Sequence, residues 1–121
     1  MQALRQAEAD RARGDLAAAL RTLQAGLEID AKQPLLLFNL GSVYEELSRP
    51  GEALDAYVKA VEARPDFADA CNNAGTIYAR RGDLASARRF WKRAVAIDPK
   101  HAAAANLERL DELEKSSGRK P

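Results

Sequence analysis

Gly41, Tyr44, Ala53, Ala60 and Pro65 each recur 34 residues later as Gly75, Tyr78, Ala87, Ala94 and Pro99. A fixed period of this size constrains the fold more than any other property of the chain. Units of 20–50 residues are too small to bury their own apolar face, so they close a core only by stacking on their neighbours. Proteins built this way more often bind than catalyse.

The residue types at the repeated positions describe the unit. Small side chains at Gly41, Ala53 and Ala60 let two helices approach closely, while Leu40, Tyr44 and Tyr57 fill the space between them. Gly14-Asp15 and Gly82-Asp83 fit a turn in which glycine takes the left-handed conformation after one helix and aspartate caps the next. Pro65 and Pro99 close the second helix of a pair, because the residue before proline avoids helical geometry. The spacing predicts helices over 2–13, 16–30, 35–47, 51–63, 68–81, 84–97 and 102–115, about seven in all. The fold expected is all-α, an α-solenoid of antiparallel helix pairs.

Leu37-x-x-Leu40-Gly41-x-x-Tyr44, then Ala53-x-x-x-Tyr57, Ala60 and Pro65, resembles the tetratricopeptide repeat. Cys71-x-x-Ala74-Gly75-x-x-Tyr78, Ala87-x-x-x-Trp91, Ala94 and Pro99 fill the same slots one unit later, and Ala19, Leu23, Leu27 and Ile29 sit at the corresponding offsets of an earlier unit. The resemblance divides the chain into a first repeat at 1–33 with a degenerate first helix, a second at 34–67, a third at 68–101, a capping helix at 102–115 and a disordered tail at 116–121. It implies the right-handed superhelix of that family. In the first repeat Gln6, Ala7 and Asp10 occupy the slots for Leu, Gly and Tyr, which leaves the register of that helix open. Ser48-Arg49-Pro50-Gly51 replaces the Gly-Asp turn of the other repeats, so a non-glycine residue is expected in the left-handed region, at about 1 kcal/mol, with local irregularity. In the last segment Glu108 and Arg109 stand where Leu40-Gly41 and Ala74-Gly75 stood, with Ala103, Leu107 and Leu110 turned inward and Glu108, Arg109, Asp111 and Glu112 solvated.

Composition narrows the function. With 121 residues and 46% apolar content the chain can bury roughly two-thirds of its unfolded surface, enough for one small domain. No run of about 18 apolar residues could span a bilayer, and residues 1–10 read as an amphipathic helix rather than a signal peptide. A cytoplasmic protein, or a module of a larger one, is the expectation. The single cysteine excludes an internal disulfide framework, and Cys71 in the slot of Leu37 is read as a buried structural thiol. His101 follows Pro99-Lys100 at a loop-to-helix junction with no second histidine to share a metal, and is read as exposed.

Catalytic signatures are missing. The sequence holds no Gly-x-Gly-x-x-Gly or phosphate loop, no Gly-x-Ser-x-Gly elbow and no cysteine pair. Glu45 and Glu46 are adjacent carboxylates, but neighbours on a helix point about 100° apart and cannot face each other as an acid–base pair. The chain is therefore read as no enzyme, with no catalytic residues, cofactor or metal. Arg13-Gly14-Asp15-Leu16-Ala17 returns letter for letter as Arg81-Gly82-Asp83-Leu84-Ala85. The adhesion tripeptide inside it is explained by the turn itself, in which Arg ends one helix near its negative dipole and Gly-Asp starts the next.

Surface chemistry then carries the function. In tetratricopeptide proteins the first helices of successive repeats line a concave groove, and the resemblance places Leu35, Phe38, Asn39, Ser42, Glu45, Asn72, Asn73, Thr76 and Arg80 there, with Leu4, Glu8 and Asp69 beside them. The reading is a protein-interaction module that binds a peptide or protein ligand in this groove. Phe38 and Leu35 are candidate apolar anchors, the alternative being that both complete the packing against the first repeat. Some family members grip the C-terminal carboxylate of chaperone tails with two lysines, an arginine and two asparagines. Slot by slot this chain offers Leu4, Glu8, Asn39, Asp69 and Asn73, so only Asn39 keeps the expected residue. A backbone-binding role for Asn39 and Asn73 is the simpler assignment.

Charge is unevenly spread although 19 basic and 18 acidic residues nearly cancel. Residues 34–67 hold three basic and six acidic groups (3 − 6 = −3), and 68–101 hold seven and three (7 − 3 = +4). Arg88, Arg89, Lys92 and Arg93 cluster on one predicted helix with Phe90 and Trp91 interleaved. Nucleic-acid binding needs a larger basic excess and a free ring to stack bases, whereas Trp91 sits in a packing slot. The alternative function is a structural, self-associating solenoid element, a homo-oligomer formed through acidic repeat two and basic repeat three, or a piece of a longer repeat protein.

Overall fold

The structure, a computed structural model, describes residues 2–117. Among them are seven helices and no strand: α1 (Gln2–Ala12), α2 (Leu16–Ile29), α3 (Pro34–Glu46), α4 (Pro50–Ala63), α5 (Ala68–Arg80), α6 (Leu84–Ile97) and α7 (Ala103–Ser116). Each end lies within one residue of the boundary expected from the sequence. Short connections make sequence neighbours pack antiparallel, as the pairs α1–α2, α3–α4 and α5–α6. The chain divides into two compact units, Met1–Pro65 and Asp66–Pro121.

The three intrapair turns share one hydrogen-bond pattern. Asp15 N–H donates to Asp10 O, Arg49 N–H to Tyr44 O and Asp83 N–H to Tyr78 O, while Gly14, Ser48 and Gly82 N–H donate to Arg11, Glu45 and Ala79 O. This is the Schellman arrangement, which needs one residue in the left-handed region. Gly14 (φ 78°) and Gly82 (φ 84°) provide it freely, and Ser48 adopts φ 59° with the Cβ penalty that glycine avoids. The irregularity expected at the second turn is thus confined to one residue's torsion, because the hydrogen bonds are those of the other two. Asp15 and Asp83 cap α2 and α6 by accepting from Ala18 N–H (3.0 Å) and Ser86 N–H (3.1 Å). At α4 no side chain caps the start, and Pro50 occupies the first turn, where no N–H partner is needed.

In the unit Met1–Pro65 the buried centre is Ala7, Ala19, Leu23, Leu36 and Val43, flanked by Leu4, Leu16, Leu20, Leu27, Leu40 and Leu47. Gly41 faces the Tyr57 ring so closely that a Cβ would stand 2.6 Å from Cε1. In the unit Asp66–Pro121 the buried residues include Ala70, Cys71, Ala74, Ile77, Ala87, Trp91, Ala94, Ala103 and Leu110. Gly75 there meets Trp91 as Gly41 meets Tyr57. The degenerate first helix keeps the same logic with other sizes. Ala7, in the glycine slot, is buried with Leu23, which stands where Tyr57 and Trp91 stand later. A smaller partner leaves room for a methyl.

Asp10, in the tyrosine slot, is buried at 2% exposure. Its carboxylate accepts from Gln6 Nε2 (3.0 Å), Arg13 Nη2 (2.5 Å) and Thr22 Oγ1 (3.2 Å), so a hydrogen-bonded network replaces the ring. The first two residues of the tail expected at 116–121 belong to α7 and its cap. Ser116 closes α7 and Ser117 N–H donates to Leu113 O as its cap; residues 118–121 lie outside the described residues. On α7 itself Ala103 and Leu110 are buried and Leu107 is half-buried.

Candidate functional site

The residues expected to line a groove fall on α3 in the first unit and on α5 in the second. On α3, Leu35, Phe38, Asn39, Ser42 and Glu45 follow helical spacing along one stripe. Leu35 is 37% exposed. Phe38 is half-buried, and its ring lies 5.6 Å from that of Tyr57, tilted by 53°. Part of its surface is therefore used within the unit, against the Tyr57 ring that fills the Gly41 crossing.

The polar groups of this stripe are largely engaged. Asn39 Nδ2 donates to Leu35 O (2.8 Å), and its Oδ1 accepts from Arg11 Nη1 (3.4 Å). Arg11 also forms an ion pair with Glu46, so one arginine ties α1 to two turns of α3. Ser42 Oγ lies 3.3 Å from Phe38 O and 3.2 Å from Tyr57 Oη. Tyr57 Oη donates to Glu45 Oε1 at 2.6 Å. The Asn39 amide, expected to meet a ligand's backbone, already holds its own helix to α1.

On α5, Thr76 Oγ1 donates to Asn72 O (3.1 Å), which also accepts the Trp91 indole Nε1–H (3.2 Å). Asn72 Oδ1 accepts from Asn106 Nδ2 of α7 (2.9 Å). Asn73 is half-buried and makes no side-chain hydrogen bond among the described residues, and Arg80 is exposed. Leu35 and Asn73 thus differ from the rest of the nine in leaving an apolar surface and an amide uncommitted within their own units.

Two expectations about single residues resolve differently. Cys71 is fully buried, and burial pushes its thiol pKa up, with the nearby Arg93 charge offsetting part of that shift. His101 is not exposed, since only 11% of its side chain remains accessible. Its Nδ1 accepts from Ala103 N–H at the start of α7 (3.0 Å), which leaves Nε2 to donate to Asp69 Oδ1 (2.6 Å). Gln33 caps α3 in the equivalent way, accepting from Leu35 N–H at 2.7 Å, and it precedes His101 by two repeat periods. That position on the repeat was the signal for a cap. Among the described residues no group of three or more His, Cys, Asp or Glu side chains could hold a metal ion.

Arg88 corrects the expected charge pattern. It does not stand in an open basic cluster but pairs with Asp111 (2.7 Å) and Glu114 (2.5 Å) of α7. Hydrogen bonding from Arg88 holds the Asp111 carboxyl below the usual carboxylate range. Asp83 is lowered as well, by its hydrogen bonds with Ser86.

Known proteins share this architecture. The tetratricopeptide repeat family model matches residues 38–102, and a second repeat model of that family matches 7–48. The chain is 39% identical over 105 residues to the probable UDP-N-acetylglucosamine–peptide N-acetylglucosaminyltransferase SPINDLY of Hordeum vulgare, covering 87% of this chain and 11% of that protein. It is 33% identical over 102 residues to the Protein O-mannosyl-transferase TMTC1 of Homo sapiens, covering 80% and 12%. The chain therefore spans about a tenth of the curated relatives it matches, and the transferase names describe those larger proteins. Among solved structures, the first tetratricopeptide domain of Spaghetti (RPAP3), bound to HSP90 peptide SRMEEVD, superposes with a TM-score of 0.84 at 20% identity over 92% of this chain and 89% of that one. MamA superposes at 0.74 and 24% identity over 78% and 55%. With more than half its residues matched by the family model and its seven helices arranged as in these neighbours, the chain belongs to the tetratricopeptide repeat family.

Proposed function

We propose that the chain is a non-catalytic protein-interaction module that binds a peptide or protein segment on the outward side of α3 and of α5. The observation that carries this reading is the exposed Leu35 on an otherwise satisfied helix face, with Phe38 one turn on giving it an apolar neighbour. Asn73 supplies an amide able to meet a peptide backbone. The fold is one generally used for protein interaction, and a neighbour of the same fold is bound to a peptide. Self-association through the opposite charges of residues 34–67 and 68–101 is the second reading. It is left with a smaller basic surface, because Arg88 is neutralised within the chain.

The test replaces the two groups that hold nothing else in place. Leu35→Ser with Asn73→Ala should remove partners captured by the immobilised chain and identified by mass spectrometry, with helicity by circular dichroism unchanged. Undiminished capture by that variant would move the site off these two helices.

A further inference from the structure

One position of the repeat carries two different caps. Gln33 Oε1 accepts from Leu35 N–H at the start of α3 (2.7 Å), and His101 Nδ1 accepts from Ala103 N–H at the start of α7 (3.0 Å). An amide oxygen accepts at any pH, whereas a ring nitrogen accepts only while it carries no proton. Histidine is also the side chain whose charge changes near neutral pH. The start of α7 is therefore held by an acceptor that acid can remove, and the start of α3 is not.

The surroundings of His101 decide what a proton does there. Its Nε2 already donates to Asp69 Oδ1 of α5 (2.6 Å), so an added proton must go to Nδ1, where it faces Ala103 N–H donor to donor. It also brings a full positive charge to the end of α7 where the backbone dipole is positive, and no acid stands in that helix's first turn to offset it. Ala102, at the position before the helix, has no side chain to offer in place of the imidazole. Asp69 is the one charged group in contact with the imidazole among the described residues, and its side chain is 64% exposed, so solvent screens its pull on an imidazolium. In the turn before α7, Asp98 Oδ1 is occupied by Lys100 N–H (3.1 Å). The charged residues of α6 are all cations, Arg88, Arg89, Lys92 and Arg93.

We propose that His101 is a pH-sensitive latch on α7: the neutral imidazole holds the first turns of the helix closed, and protonation of Nδ1 removes the cap and opens them. Behind the cap lie the buried Ala103 and the bond from Asn106 Nδ2 to Asn72 Oδ1 of α5 (2.9 Å), so opening exposes the first and breaks the second. The far half of α7 stays docked, because Leu110 is buried and Arg88 grips Asp111 and Glu114. Hydrogen bonding from Arg88 holds the Asp111 carboxyl below the usual carboxylate range, so this clasp survives at a pH that protonates histidine. The latch does not depend on what α5 binds.

The experiment follows amide hydrogen exchange of the full chain by nuclear magnetic resonance at about pH 7.5 and about pH 5.5, with each rate divided into the random-coil rate at the same pH. Protection of the Asn106 and Leu107 amides should fall about tenfold at the lower pH, and that of Leu113, beyond the Arg88 clasp, by less than about twofold. His101→Gln keeps a cap of the Gln33 type that cannot titrate, so its protection should be the same at both pH values. Asp69→Asn removes the group that favours the imidazolium and should deepen the loss seen in the native chain. As a readout that needs no variant, the Ala103 amide shift and the His101 Cε1–H shift should move through one common midpoint. Native protection that is equal at the two pH values, or higher at the lower one, would overturn the latch, the second result meaning that pairing with Asp69 outweighs the cap. So would a His101→Gln chain that loses as much protection as the native one, or separate midpoints for the two shifts.

Discussion

Replacing Gly75 with alanine asks whether the helix crossing or the helix propensity governs that position. A methyl group there would stand 2.6 Å from Trp91 Cδ1, 2.7 Å from Nε1 and 3.2 Å from Ala87 O. Carbon atoms settle at about 3.5–4 Å, so the indole must retreat by about 1 Å. It has little freedom to do so, because Trp91 is 7% exposed and its Nε1–H is bonded to Asn72 O. Overpacking of this kind costs about 1–3 kcal/mol, and loss of the indole hydrogen bond adds about 1 kcal/mol. Alanine returns about 1 kcal/mol through its better helix propensity. The net expectation is a loss of about 2 kcal/mol, seen as a thermal midpoint lowered by about 5–15 °C.

Gly26→Ala is the control. Its methyl would meet the Leu36 Cδ1 methyl at 2.9 Å and Ala3 Cβ at 3.0 Å. Leu36 can turn its end aside, so propensity should offset most of the crowding and the midpoint should stay near that of the native chain. Both variants would be followed by circular dichroism and by Trp91 emission in guanidinium chloride. A Gly75→Ala chain as stable as the native one, or a Gly26→Ala chain equally damaged, would refute the close-crossing argument.

The Cys71 thiol, buried and raised in pKa, should react with a thiol reagent only as the chain unfolds, so its labelling rate in rising denaturant should track the loss of helicity. Asp111 and Asp83 are held below the ordinary carboxylate range of about 3.9. A lowered folded-state pKa gives stability that is present above the unfolded value and lost as pH falls through the folded one. Thermal midpoints should therefore drop below about pH 4, and Asp111→Asn should flatten that drop.

Much of this fold was legible because its signals are local and recur. A 34-residue period, Gly-Asp at two of the three turns and a proline after two helices place the elements by backbone chemistry alone. Ser48 shows the limit of reading by residue type, since the turn keeps its Schellman bonds without glycine and the torsion alone carries the difference. The candidate site was less legible. Position on the repeat nominates Asn39 and Phe38 for ligand contact, but it carries no sign that Arg11 and Tyr57, distant in sequence, also touch them.

The sequence by itself determined the all-helical class, the helix boundaries, the left-handed glycines at Gly14 and Gly82 and the buried thiol, because each follows from spacing or from a residue's own conformational preference. Only the tertiary structure decided which partner fills each crossing and where each charge goes. The buried crossing positions Ala7 and Leu23, Gly41 and Tyr57, and Gly75 and Trp91 follow one volume rule, visible once the facing side chains are known. Asp10 lies buried because three donors converge on it, His101 is a cap because Ala103 N–H reaches it, and Arg88 leaves the basic cluster because two acids of α7 stand opposite. Those outcomes depend on groups brought together from separate helices, and a hydrogen bond or ion pair within about 3 Å is a property of the packed chain rather than of any segment of it.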